Sequence, residues 1–421
     1  MFILYDLFCF LFCFVYFPHL VLRRKWHAQS WDRFGRRLKE HSRTLATQNN
    51  IWVHAVSVGE VLLVKPLLEE LQQKYPQYRF LLTTVTKTGF TVARENFGDR
   101  VSVLYAPIDF SFVVRRFIRA IAPQAYITAE TEIWPNLWSA LAQRKIPIIV
   151  VNGRVSDKSF LGYRNVRFLL KNIISSVTVF CMQSETDAKR IKELGAGDHQ
   201  VKVIGNIKFD DFPQMQGEYG NRLGFKESQR IWVAGSTHPG EEEIVLNVYI
   251  KLRSQFPDLG LILVPRHPER AQAVLELVER KGLVGCFISK MTNAAQSPDH
   301  VVVVDTIGQL KWLYGLADVV FVGKSLTVRG GQNFIEPAFF AKPILVGPHL
   351  DNFRDILRLF LEKGALIQVN DQDGLEQNVA RLLKQPDEIK RLGRLAKEVV
   401  LSNRGATQRT MAEVARILIR S

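Results

Sequence analysis

At 421 residues with a formal charge of +15, the chain is too long for one ordinary core and too basic to be indifferent to anions. An apolar fraction of 47% with 23% charged residues excludes a disordered or low-complexity protein. What is left is two domains of about 150–200 residues with an anionic partner: nucleic acid, a membrane face or a phosphorylated substrate.

Residues 2–22 are almost wholly apolar and aromatic, interrupted by Asp6 and His19. At the helical rise such a run spans about 32 Å, enough for a bilayer's hydrocarbon core. A cleaved leader would put its positive charge before the run, whereas Arg23, Arg24 and Lys25 follow it here. The positive-inside rule therefore predicts one N-terminal anchor, residues 1–22, with the body on the cytoplasmic side. Asp6 and Pro18 weaken the span, and a segment lying in the interface is the alternative. Cys9 and Cys13 have no His or Asp company, which points to packing rather than metal ligation.

Beyond the run, apolar stretches at 51–57, 79–84, 101–105, 125–129, 147–151 and 177–181 read as strands, with amphipathic helices such as 61–75 and 187–194 between them. The rhythm pauses at 206–228, then resumes with strands at 231–234, 260–264, 301–304, 319–322, 344–346 and 365–368 and a basic helical end. Buried strands alternating with helices imply parallel sheets covered on both faces. The expected fold class is α/β, with two doubly wound Rossmann-like domains, 23–210 and 211–421, facing a central cleft.

Four places carry candidate chemistry. At the end of the first strand, Ser57-Val58-Gly59-Glu60 offers a carboxylate that can act as general base toward a hydroxyl. The same spelling is a capping box, S-x-x-E before an apolar helix, so both readings stand. Glu130 and Glu132 follow another strand at the same sheet edge, beside Pro135, a natural first helical residue. Lys208 closes the first domain, where an ammonium can neutralise a leaving phosphate. Arg266 and His267 follow a strand of the second domain, where the guanidinium suits a fork-like phosphate contact.

The stretch 318–348 organises the second domain: strand, loop with Gly330, Gly331 and Asn333, short helix with Glu336, strand. Amides freed by the glycines next to a helix N-terminus are expected to hold an anion, and Glu336 a ribose diol. A tight connection whose glycines serve only the turn is the alternative. Gly323-Lys324-Ser325 is not the end of a P-loop, because Asp318 stands where the motif's first glycine belongs. Asp371-Gln372-Asp373 reads as a polar turn with Asp373 as helix cap, not as a metal site.

Together these motifs resemble the 3-deoxy-D-manno-octulosonic acid (Kdo) transferases. SVGE at 57–60, the run TTVTKTG at 83–89, ETEIWPN at 130–136, NGRVS at 152–156, GNIKFD at 205–210, PRHPER at 265–270 and GGQNFIEPA at 330–338 occur in the family's order. The resemblance implies a GT-B glycosyltransferase of lipopolysaccharide biosynthesis, anchored in the bacterial inner membrane and facing the cytoplasm. It further implies transfer of Kdo from CMP-Kdo to the disaccharide bisphosphate lipid A precursor (lipid IVA), more than one unit being an option. Inversion at the anomeric carbon, no metal and no cofactor are part of the same implication. It assigns Glu60 as general base and Glu130 and Lys208 as transition-state stabilisers. Arg266, His267, Ile307, Gly308, Gln309, Asn333, Phe334, Ile335 and Glu336 match the CMP site. Three positions depart from the family pattern: Gln332 stands for a usual His, Phe334 for a common Pro and Lys324 for a frequent Gly.

A GT-B enzyme using a UDP-sugar on another lipid acceptor is the rival within enzymes. A membrane-tethered basic RNA-binding module is the rival outside them, but no nucleic-acid signature is present, and no nucleic-acid partner is expected.

Overall fold

The computed structural model describes residues 5–7, 10, 28–36, 38, 49–98, 100–210, 223, 225, 226, 228–291 and 300–419. The chain divides into two compact units, Met1–Asp210 with Arg404–Ser421, and Asp211–Asn403.

The first unit is built on a parallel sheet of β1 (Asn50–His54), β2 (Arg79–Thr84), β3 (Ser102–Tyr105), β4 (Pro123–Ala129), β5 (Ile148–Gly153), β6 (Val179–Met182) and β7 (Val201–Val203). Their order is β3-β2-β1-β4-β5-β6-β7. Trp52 in β1 stands opposite Leu81 on one side and Tyr126 on the other. All five β1 residues are buried because helices cover both faces of the sheet. One face packs Trp52, Tyr126 and Phe180, the other Ile51, Val53 and Ile127. Trp52 meets Tyr126 edge-on at 5.2 Å, and its indole N–H donates to Thr83 Oγ1 at 2.8 Å, so its one polar atom is satisfied in the core.

The chain winds from β1 through β2 to β3, then returns to lay β4 on the other side of β1. The carboxyl ends of β1 and β4 therefore form a topological switch point, where open sheets of this kind bind ligands.

The second unit repeats the plan. Its strands are β8 (Arg230–Thr237), β9 (Leu259–Pro265), β10 (Gly285–Phe287), β11 (Val301–Val303), β12 (Val319–Val322), β13 (Ile344–Val346) and β14 (Ile367–Gln368), all parallel. The order β10-β11-β9-β8-β12-β13-β14 puts the switch point between β8 and β12.

The structure differs from the sequence reading at the end of the chain. The helix Ala406–Leu418 belongs to the first unit, not the second, and buries Met411, Val414 and Leu418 in the cluster that holds Val64 and Leu68. Asp210 fastens its start, Oδ1 accepting from Gly405 N–H at 2.7 Å and Oδ2 from Thr407 N–H at 2.6 Å. Losing this charged cap in Asp210→Ala is expected to lower stability by about 2 kcal/mol and the melting temperature by about 5 °C. Calorimetry showing a fall of less than about 1 °C would deny it that role.

Among the described residues no helix is long and apolar enough to cross a membrane. The expected anchor, residues 1–22, lies outside the described residues except for 5–7 and 10. Asp6, read as a weak point of that span, has partners on the first unit: its Oδ1 accepts from Ser111 N–H at 3.0 Å and from Asn136 Nδ2 at 2.7 Å.

Candidate active site

Glu60 lies in the first turn of the helix Val58–Lys74, just beyond the carboxyl end of β1, with 9% of its surface exposed. The capping box is not formed. Ser57 makes no side-chain cap; its hydroxyl donates to Glu60 Oε1 at 3.0 Å, while Oε2 accepts from Val56 N–H at 2.8 Å. Burial nevertheless pushes the Glu60 pKa up to about 7, with Glu130 and Glu132 adding to the rise and the Val56 bond opposing it. A carboxylate poised near neutrality is suited to take a proton from an attacking hydroxyl.

The neighbouring loop is fitted against this one. Thr86 N–H donates to Val56 O at 3.2 Å, and Thr86 Oγ1 caps its own helix by accepting from Gly89 N–H at 3.0 Å. A Cβ on Gly89 would stand 2.8 Å from that Oγ1 and 3.4 Å from the Ser57 carbonyl carbon, so the close approach of the two loops depends on glycine.

Glu130 follows β4 on the other lip of the switch point. Its φ of +55° is left-handed, a conformation that costs a residue with a side chain about 1–2 kcal/mol. Its N–H donates to Val151 O at 2.9 Å, which holds it there. Lys208 sits in the single turn Ile207–Asp210 after β7. A ring of amides fixes that turn: Asn152 Oδ1 accepts from Ile207 N–H and Asn206 Oδ1 from Lys208 N–H, each at 3.0 Å. Gln183 ties the two asparagines, donating to Asn152 O at 2.9 Å and accepting from Asn206 Nδ2 at 2.8 Å. Burial lowers the pKa of Lys208, Glu130 and then Glu60 pull it back up, and Arg154 opposes them. The structure thus brings Glu60, Glu130 and Lys208 within mutual electrostatic reach. Glu132 joins them, its pKa raised by burial and by Glu130.

In the second unit the residues expected at a nucleotide lie after β9, β11 and β12. Arg266 and His267 are exposed after β9, and Arg266 N–H donates to Thr237 O at 3.0 Å, which ties this loop to the one after β8. The His267 ring meets that of His238 edge-on, centroids 6.0 Å apart. Ile307 is 87% exposed, next to Gly308 at φ +90° and Gln309, which precedes the helix Leu310–Leu316. Asn333 Nδ2 donates to Glu336 Oε1 at 3.0 Å.

Three expectations need correction. The amides of Gly330 and Gly331 are not open to an anion, because they donate to His349 O at 3.2 Å and Lys324 O at 2.8 Å. Phe334 and Ile335 are buried at 0% and 2% exposure, so their side chains build the core, Phe334 packing on Phe353 and Phe360. The late helix is capped by Asp371, not Asp373: Asp371 Oδ1 accepts from Gly374 N–H at 2.8 Å.

Residues 29–211 match the protein family described as 3-Deoxy-D-manno-octulosonic-acid transferase (kdotransferase). The chain is 37% identical over 366 residues to the 3-deoxy-D-manno-octulosonic acid transferase of Haemophilus influenzae, covering 86% of this chain and 85% of that one. The chain belongs to the Kdo transferase family. A Rickettsia felis transferase of the same name is 31% identical over 335 residues, covering 79% of this chain and 71% of its own. The solved structure of a UDP-N-acetylglucosamine 2-epimerase from Listeria monocytogenes superposes with a TM-score of 0.60 at 10% identity, over 88% of this chain and 96% of that one. That likeness concerns the fold alone, the two parallel-sheet α/β domains of the GT-B glycosyltransferases.

The first unit also holds a buried carboxylate that the sequence does not single out. Asp109 is 6% exposed, and its carboxylate accepts from the N–H groups of Asn136 at 3.0 Å and Leu137 at 2.9 Å. It thereby anchors the start of the helix Pro135–Gln143 and the 130–134 loop that precedes it. Burial raises its pKa to about 7, against the pull of those two bonds. Nothing near Asp109 in sequence announces partners 27 residues away.

Proposed function

We propose that the chain transfers Kdo from CMP-Kdo to the disaccharide bisphosphate lipid A precursor, inverting the anomeric carbon and requiring no metal ion. The observation that carries this reading is Glu60, held by two donors and raised to about 7 beside Glu130, Glu132 and Lys208. In the proposed reaction an acceptor hydroxyl loses its proton to Glu60 as its oxygen forms the new bond to the anomeric carbon. The bond from that carbon to the phosphate oxygen breaks, and CMP leaves with the electron pair. Lys208 supplies positive charge toward the oxygens that gain negative charge.

A basic chain suits a bisphosphorylated lipid at an anionic membrane. Phe112 and Phe168, 65% and 76% exposed, lie on helices that also carry Arg115, Arg116, Arg167 and Lys171. Apolar and basic side chains on one element favour a bilayer surface. With the apolar residues 2–22, this supports a body on the cytoplasmic face of the bacterial inner membrane.

The test uses purified protein in detergent, CMP-Kdo made in situ and lipid A precursor, with and without EDTA, read by mass spectrometry. The expected product gains one or more Kdo units and is indifferent to EDTA. No product, with turnover of a UDP-sugar instead, would overturn the donor assignment.

A further inference from the structure

Lys324 is a lysine where the backbone calls for glycine. It follows β12 at the switch point of the second sheet with φ +54°, a region that residues with side chains avoid. Its backbone is pinned on both sides. The N–H donates to Glu241 Oε2 at 2.7 Å, and the carbonyl accepts from Gly331 N–H at 2.8 Å. Glu241 is fully buried and also takes the N–H groups of Ser325 and Leu326 at 3.0 Å and of His238 at 2.9 Å. One buried carboxylate therefore clamps the loop after β8 to the loop after β12 and holds Lys324 in its strained conformation.

The side chain passes over Gly330. A Cβ built on Gly330 would meet Lys324 Cε at 3.2 Å and Nζ at 3.5 Å. Lys324 is half-buried, and among the described residues its ammonium has no ion pair or side-chain hydrogen bond. His238 lies close by, its pKa lowered first by burial and further by the positive charge of Lys324 and His267. A half-buried ammonium without an ion pair at a ligand-binding sheet edge is unfavourable until an anion joins it. Strain that persists at such a place is a mark of function.

We propose that Lys324 is a donor-binding residue whose ammonium, carried over Gly330, takes a phosphate oxygen of the nucleotide. The proposal rests on the CMP-linked donor of the preceding section. Its place after β12, beside the loops bearing His238 and His267, puts the charge where a switch-point ligand carries its phosphate.

Three substitutions separate charge from strain. Lys324→Met keeps the strained backbone and removes the charge, Lys324→Arg keeps both, and Lys324→Gly removes both. By titration calorimetry, Lys324→Met and Lys324→Gly are expected to bind CMP about tenfold more weakly. Lys324→Arg should stay within about twofold of the native chain. Cytidine, which lacks the phosphate, should bind all four proteins alike. Lys324→Gly should also melt about 2 °C higher, because glycine relieves the left-handed backbone while the ligand contact is lost. Native affinity for CMP in Lys324→Met would overturn the assignment of Lys324 and leave the donor reading standing. Unchanged CMP binding with a raised KM for the intact donor would move the contact to the sugar's carboxylate and overturn the phosphate assignment. A native chain that binds no CMP would overturn the donor reading and this role with it.

Discussion

Glu60→Gln is expected to bind CMP as the native chain does and to transfer about a thousandfold more slowly. Glutamine keeps the size of the side chain and one carbonyl oxygen, so one of the two donors on Glu60, Val56 N–H or the Ser57 hydroxyl, retains its acceptor. What glutamine cannot do is accept a proton from an attacking hydroxyl. A residue that served only as a cap would lose little on this change, and transfer near the native rate would return Glu60 to that role. The pH profile adds a second reading. The base works as the carboxylate, so native kcat/KM should rise about tenfold per pH unit below about 7 and level off above. Glu60→Gln should lack that limb. Stability runs the opposite way. The folded pKa is raised from 4.5 to about 7, so between those values the folded state holds a proton that the unfolded chain has lost. The contribution of Glu60 to stability therefore falls as pH rises through that window, and Glu60→Gln should flatten the fall.

Much of this arrangement is legible in the sequence where the physics is local. β12 and β13 coincide with unbroken apolar runs, because strands covered on both faces leave no polar alternation to confuse the reading. β7 and β10 are three-residue edge strands, too short for any period to show, and Lys202 and Gly285 break even the apolar run. The first switch point can be found from sequence because SVGE and ETEIWPN each follow a strand and carry their own carboxylates. Its supports cannot. Asn152 is separated by 55 residues from the Ile207 amide it fixes, and Glu241 by 85 from Leu326. Asp109 likewise acts on a helix that the chain reaches only after crossing the sheet. The amphipathic pattern of the last helix says that it must bury one face, but not that the face is on the first unit. The glycine loop misled for the complementary reason: its positive φ angles were foreseeable, but the carbonyls that already occupy its amides, those of Lys324 and His349, are brought in by tertiary packing.

Lys208→Ala should reduce transfer by about a hundredfold or more near neutral pH while the protein keeps its fold. The turn that carries it is held through backbone N–H groups by Asn152 and Asn206, so truncating the side chain leaves those bonds in place. What is removed is a partly desolvated positive charge close to two carboxylates, where a fixed ammonium stabilises developing negative charge far better than in water. Retention of activity within about threefold would deny Lys208 that role. Glu130→Gln tests the same cluster with a different signature. Glu130 raises the pKa of Glu60 by repulsion and that of Lys208 by attraction. Neutralising it should therefore lower both: Glu60 ionises earlier, and Lys208 loses its proton earlier as pH rises. The acid and alkaline limbs of kcat/KM then both move to lower pH, so activity gained on the acid side is matched by activity lost on the alkaline side. A side chain that merely filled space would change the height of the profile and leave the limbs where they were. A joint displacement requires Glu130 to act on Glu60 and Lys208 through its charge.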